Sequence, residues 1–154
     1  MNQTIVLWKV FVWSPVILIA NMAVGNLLYM NPFVSGVFKR LNVPEVMKGI
    51  EDFGGLGAYI GLNSGFGVYF VALFLFLFVV VHPVLPGNWL VGGAVFALAV
   101  IAVKTIPEAF NQFMLFRYPM RLITVQLVNS TISMLFLGIL TSFVFTKSGA
   151  VAGN

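Results

Sequence analysis

Four apolar runs, each long enough to cross a lipid bilayer, fill most of this chain and leave it few ways to fold. They occupy residues 5–30, 56–81, 89–110 and 119–145. About 20 residues of helix, each rising ~1.5 Å, cross a hydrocarbon core. Water is absent there, so each run must satisfy its backbone hydrogen bonds internally, as a helix does. The expected fold is therefore all-α: a single membrane domain over residues 1–154, built as a bundle of four transmembrane helices. With 60% of residues hydrophobic and 8% charged, a soluble fold of this size could not hide its apolar surface.

The segments between the runs punctuate them. Pro15 lies inside the first run, where it interrupts the hydrogen-bond ladder. Trp8 and Lys9 near its start suit a membrane interface. Residues 31–55 form the longest polar stretch. Within it, Asn42 with Glu45 three positions on reads as a helix cap. Val46, Met47, Ile50 and Phe53 share one face, and Lys48, Glu51 and Asp52 lie mostly opposite. This predicts a short amphipathic helix in the first loop, lying in the interface and ended by Gly54 and Gly55. His82, Pro83, Pro86 and Gly87 make a tight turn. The third run becomes polar from Lys104 and extends toward Phe116. Pro119 opens the fourth helix.

Orientation follows from the cations. The first and third loops carry Lys39, Arg40, Lys48, Lys104, Arg117 and Arg121, whereas the other side has Lys9 and Lys147. Positive residues stay in the cytoplasm, so both termini are expected outside. A bacterial inner membrane is the expected setting. No cleaved leader is expected, because no small-x-small site follows the first run. The net charge of +4 sits beside apolar runs, which favours anionic lipid headgroups over nucleic acid as its partner.

Three constellations stand out. Gly57, Gly61 and Gly65 recur every fourth residue on one helix face, where missing side chains allow a close helix approach. That approach is expected within the fold or, alternatively, at an oligomer interface. Asn21, Asn26, Asn63, Gln126 and Asn129 place amides in or near the spans, where they need partners; they bond neighbouring helices or line a polar path. Lys104, Glu108 and Gln112 follow i, i+4, i+8, so Lys104 and Glu108 can pair along the helix. Arg117 and Arg121 are alternative partners for Glu108. Acids this close to a span are candidates for function.

Other chemistries find little support. The chain has no cysteine, which removes disulfides and thiolate metal sites. His82 is the only histidine, too few for paired haem ligation or a histidine-rich metal site. Phe74, Phe76 and Phe78 read as packing or lipid-facing residues rather than a pigment box. No phosphate-binding loop, dinucleotide fingerprint or nucleophile elbow occurs. No cofactor and no enzymatic activity are expected.

Two stretches resemble a family of small, uncharacterised four-helix bacterial membrane proteins. In GNLLYMNPFVSGVFKR, Gly25, Tyr29, Pro32 and Gly36 match the end of that family's first helix and its basic loop. In FRYPMRLITVQLVN, Arg117, Pro119 and Asn129 match its fourth helix, which carries a buried Asn. One inserted residue separates the chain from the family's spacing in each stretch. The resemblance implies architecture and no activity. Two functional classes follow from the sequence: a structural or accessory membrane subunit, packed against itself or larger partners, and a small oligomeric transporter or channel using the polar residues.

Overall fold

The computed structural model describes residues 7–29, 31–41, 50–115 and 118–151. Helices α1 (Leu7–Tyr29), α2 (Pro32–Leu41), α3 (Leu56–Val81), α4 (Trp89–Val100), α5 (Ile106–Leu115) and α6 (Met120–Ser148) follow in order. A π-helical turn, Ile101–Thr105, joins α4 to α5 without a break, and short 3-10 turns occupy Ile50–Phe53 and His82–Val84. Four helical stretches are long and apolar enough to cross a membrane: Trp8–Tyr29, Leu56–Val84, Trp89–Leu115 and Met120–Ser148. The four-helix membrane bundle expected from hydropathy is thus the architecture observed.

Among the described residues the first loop carries a short helix, α2. Residues 42–49, which carry most of the expected amphipathic pattern, fall outside the described residues. Their described continuation, Ile50–Phe53, is one 3-10 turn, ended by Gly54 and Gly55 at φ +84° and +96°. α2 lies ahead of them in the same loop. Asn31 explains it: its Oδ1 accepts from the Val34 N–H at 2.9 Å while its Nδ2 donates to the Leu28 carbonyl at 2.7 Å. One side chain thereby caps the start of α2 and the end of α1. Pro32 follows at the first helical position, where a missing N–H costs nothing. Val34 is buried while Phe33 and Arg40 are exposed, and α2 packs against α6.

α6 is the hub of the bundle. It packs along α4 and α1 and touches α5 and α2. The α4–α6 contact is close because Gly93 and Gly138 face each other there. α3 reaches the hub through aromatic side chains. Phe78 stands edge-on to Phe96 and Phe145, at ring separations of 5.2 and 6.0 Å, and Phe74 meets Phe96 at 4.9 Å. Offset edge-to-face contacts of this kind add to what burial alone gives. This cluster, with Ile17, Val71, Leu75, Leu137 and Val151, forms the core, on the side of the bundle where the chain ends lie.

Lys9 does more than sit at an interface. Its ammonium donates to the Ser148 carbonyl at 2.9 Å. There α6 ends in a left-handed turn at Gly149, φ +64°. Ala150 N–H reaches back to the Phe145 carbonyl at 2.9 Å, and Gly149 N–H to that of Thr146 at 3.2 Å. A cation at a helix C-terminus complements the helix dipole.

Candidate functional site: a polar crevice between α1, α5 and α6

The polar residues of the spans gather in the half of the bundle nearer the first and third loops. Pro107 organises the site. It has no N–H to bond, and its ring crowds the carbonyl four residues back. The helix widens ahead of it: Ile106 N–H bonds to the Ile101 carbonyl, five residues back. Single π turns of this kind recur at functional sites. Here the wider turn carries Thr105 inward, leaving it 3% exposed, while Val103 faces outward at 77%.

Thr105 lines a crevice of about 200 Å³ together with Tyr29, Glu108, Ala109, Gln112, Gln126, Leu127 and Ser130. Its Oγ1 is buried without a hydrogen-bond partner, and so is Oε1 of Gln126 across the crevice. Buried polar atoms are almost always bonded, so two unpartnered oxygens in one crevice mark it out. Thr141 Oγ1 is likewise unpartnered but does not line this crevice. On the crevice wall, Tyr29 Oη and Ser130 Oγ lie 3.1 Å apart in a shared hydrogen bond.

Glu108 stands at the mouth. Lys104 Nζ donates to its Oε2 at 3.0 Å, the i, i+4 pair expected from spacing, and the two side chains are 39% and 56% exposed. A pair this exposed contributes little to stability, about 0–1 kcal/mol. The Lys104 ammonium also lies 5.2 Å from the centre of the Phe70 ring on α3, within cation–π reach. Lys104 lines an adjoining outer groove that shares Glu108 and Gln112 with the crevice; on the crevice wall itself Glu108 is the one charged side chain among the described residues.

The amides divide between two places. Asn129 is buried and donates to the Leu28 carbonyl at 3.1 Å, and Ser133 meets Asn21 Oδ1 at 3.4 Å. These tie α6 to α1, as the helix-bonding reading of the amides anticipates. Asn21, Asn26, Asn63 and Ser133 also line a second, wider crevice between α1 and α3, of about 550 Å³. Tyr29 borders both crevices.

Of the residues singled out from sequence, Glu108, Gln112 and Gln126 reach the crevice and Lys104 joins it through Glu108. Asn129 belongs to the α1–α6 contact. Arg121 is exposed, and Arg117 falls outside the described residues. Thr105, Tyr29 and Ser130 were not singled out; the available signal was Pro107 placed two residues after Thr105 in a helical run. A Cβ added at Gly57, Gly61 or Gly65 would meet nothing within 4 Å among the described residues, so no described helix packs on that face, and the oligomer alternative stays open.

The described residues contain no group of three His, Cys, Asp or Glu side chains able to hold a metal ion. His82 is buried at the end of α3 beneath Phe78, with ring centres 5.6 Å apart. Comparison with protein-family models, curated proteins and solved structures finds no match for the chain.

Proposed function

We propose that the protein is a structural or accessory membrane subunit that packs against itself or a larger membrane partner through the first half of α3. One observation carries this reading. From Leu56 to Phe70 no residue of α3 is buried, and the face of Gly57, Gly61 and Gly65 is open among the described residues. Apolar side chains facing lipid need no explanation, but a glycine face forgoes contacts that a partner helix restores. The six-to-two distribution of cations supports a cytoplasmic position for the first and third loops in a bacterial inner membrane. The family resemblance supports the same architecture.

The chain has no native cysteine, so disulfide trapping tests the reading directly. Ala58→Cys, Gly61→Cys and Gly65→Cys, oxidised in membranes, should trap a homodimer or an adduct with a copurifying protein. A monomer at all three positions, together with a monomeric mass in mild detergent, would overturn it.

A second reading, transport of a small solute or ion, is favoured by the unpartnered oxygens of Thr105 and Gln126 beside Glu108. Flux in proteoliposomes that Glu108→Gln abolishes would support it. Its absence under imposed ion and pH gradients counts against it.

A further inference from the structure

The crevice beneath the π turn has a definite chemical polarity. Its two unpartnered atoms, Thr105 Oγ1 and Gln126 Oε1, are both oxygens, and the amide oxygen of Gln126 can only accept. The only charge on the wall is the carboxylate of Glu108. That carboxylate already accepts one ammonium, from Lys104, through Oε2. No cationic side chain lines the crevice among the described residues.

An anion would therefore meet the negative charge of Glu108 with no cationic side chain on the wall to offset it. A divalent metal ion asks for a dense shell of 6–8 oxygens, usually with several carboxylates, and here there is one. The space, about 200 Å³, is far larger than a bare ion and holds a molecule of several heavy atoms, or several waters. A group that carries positive charge and several N–H donors suits this wall, with a charge-assisted bond to Glu108 and further donors for the Thr105 and Gln126 oxygens.

We infer that the crevice formed by Thr105, Glu108 and Gln126 binds a small organic ammonium ion, with Glu108 as counter-ion and the Thr105 and Gln126 oxygens as acceptors. The inference rests on the transport reading of this crevice and names its ligand. Lys104 gains a role from it. Tethered four residues away, its ammonium competes with the ligand for Glu108 at a high effective concentration. When a ligand enters, Lys104 gives up Glu108 and keeps its position over Phe70.

The test is binding in detergent, by thermal unfolding of the full chain during titration with methylammonium chloride. Sodium chloride controls for ionic strength. Methylammonium should stabilise saturably. Glu108→Gln and Thr105→Val should each raise the apparent Kd about tenfold, the loss of roughly one good hydrogen bond. Thr105→Ser should retain wild-type binding, as should Thr124→Val, whose hydroxyl bonds the Met120 carbonyl on the exposed surface. Lys104→Met should lower the Kd.

Four results would overturn the inference: a response that sodium chloride matches, as water-filled space predicts; a Kd indifferent to both Glu108→Gln and Thr105→Val; weaker binding in Lys104→Met; or saturable stabilisation by sodium phosphate that exceeds sodium chloride, which points to an anion site. Glu108 is half exposed, so its variant folds even if Thr105→Val does not. Binding without flux would retire the transport reading and keep the site.

Discussion

Gly93 and Gly138 meet backbone to backbone where α4 crosses α6. A methyl group on Gly138 would lie 2.6 Å from the Gly93 carbonyl oxygen and 2.7 Å from Ala97 Cβ. One on Gly93 would lie 2.7 Å from the Gly138 carbonyl oxygen and 2.8 Å from Ile139 Cα. These neighbours are mostly backbone, so they cannot rotate aside, and the helices themselves must separate.

Gly138→Ala should therefore destabilise the monomer by about 1–3 kcal/mol, the range for overpacking. Gly61→Ala, with nothing within 4 Å of its added methyl, should leave monomer unfolding unchanged. Thermal unfolding of both variants in detergent checks the contrast. Equal stability would mean that the α4–α6 crossing tolerates separation.

Phe78 and Phe76 provide a second contrast two residues apart. Phe78 is 0% exposed and touches Phe96, Phe145 and His82, whereas Phe76 is 63% exposed. Phe78→Ala should cost about 3–5 kcal/mol through the cavity it leaves, and Phe76→Ala under about 0.5 kcal/mol as a surface change. A similar loss in both variants would place α3 differently against its neighbours.

The spans were legible because hydropathy and bilayer thickness set element length, and the structure keeps the ends of α3 at Leu56 and Val81. The glycines were read less well. A repeat such as Gly57–Gly61–Gly65 suggests a packing face, but a crossing needs one small residue from each helix at the point of closest approach. Gly93 and Gly138 do this without any repeat. The Lys104–Glu108 pair was legible because i, i+4 geometry is local. Thr105 was not, since its burial depends on which helices become its neighbours, and Pro107 alone does not encode that. The bonds from α6 to Tyr29 and Asn21 depend on which helices become neighbours, and no local pattern encodes that.

Lys9→Met should loosen the end of α6. The lost contact with the Ser148 carbonyl is worth about 0.3–1 kcal/mol, as for other cations at helix C-termini. Hydrogen exchange should show faster amide exchange at Ala150 and Val151, which bond the Phe145 carbonyl, with little change in α4. Unchanged exchange at both positions would mean that the Gly149 turn holds by itself.

Cysteines placed at Asn2 and Asn154 test the orientation. With both termini outside, impermeant thiol reagents should label them in intact cells. Labelling only after lysis reverses the topology, and the six-cation side then faces outward.

The bonds between α1 and α6 carry a consequence for how the chain is made. Tyr29 pairs with Ser130, Leu28 with Asn129, Asn21 with Ser133 and Lys9 with Ser148, across separations of 101 to 139 positions. The ribosome delivers α1 first and its main partner last. Until the final span emerges, Asn21 and Tyr29 enter the membrane ahead of the side chains that later bond them. The nascent protein is thus a first helix waiting on its last, and any helper that shields polar groups during insertion has its longest period of contact with α1.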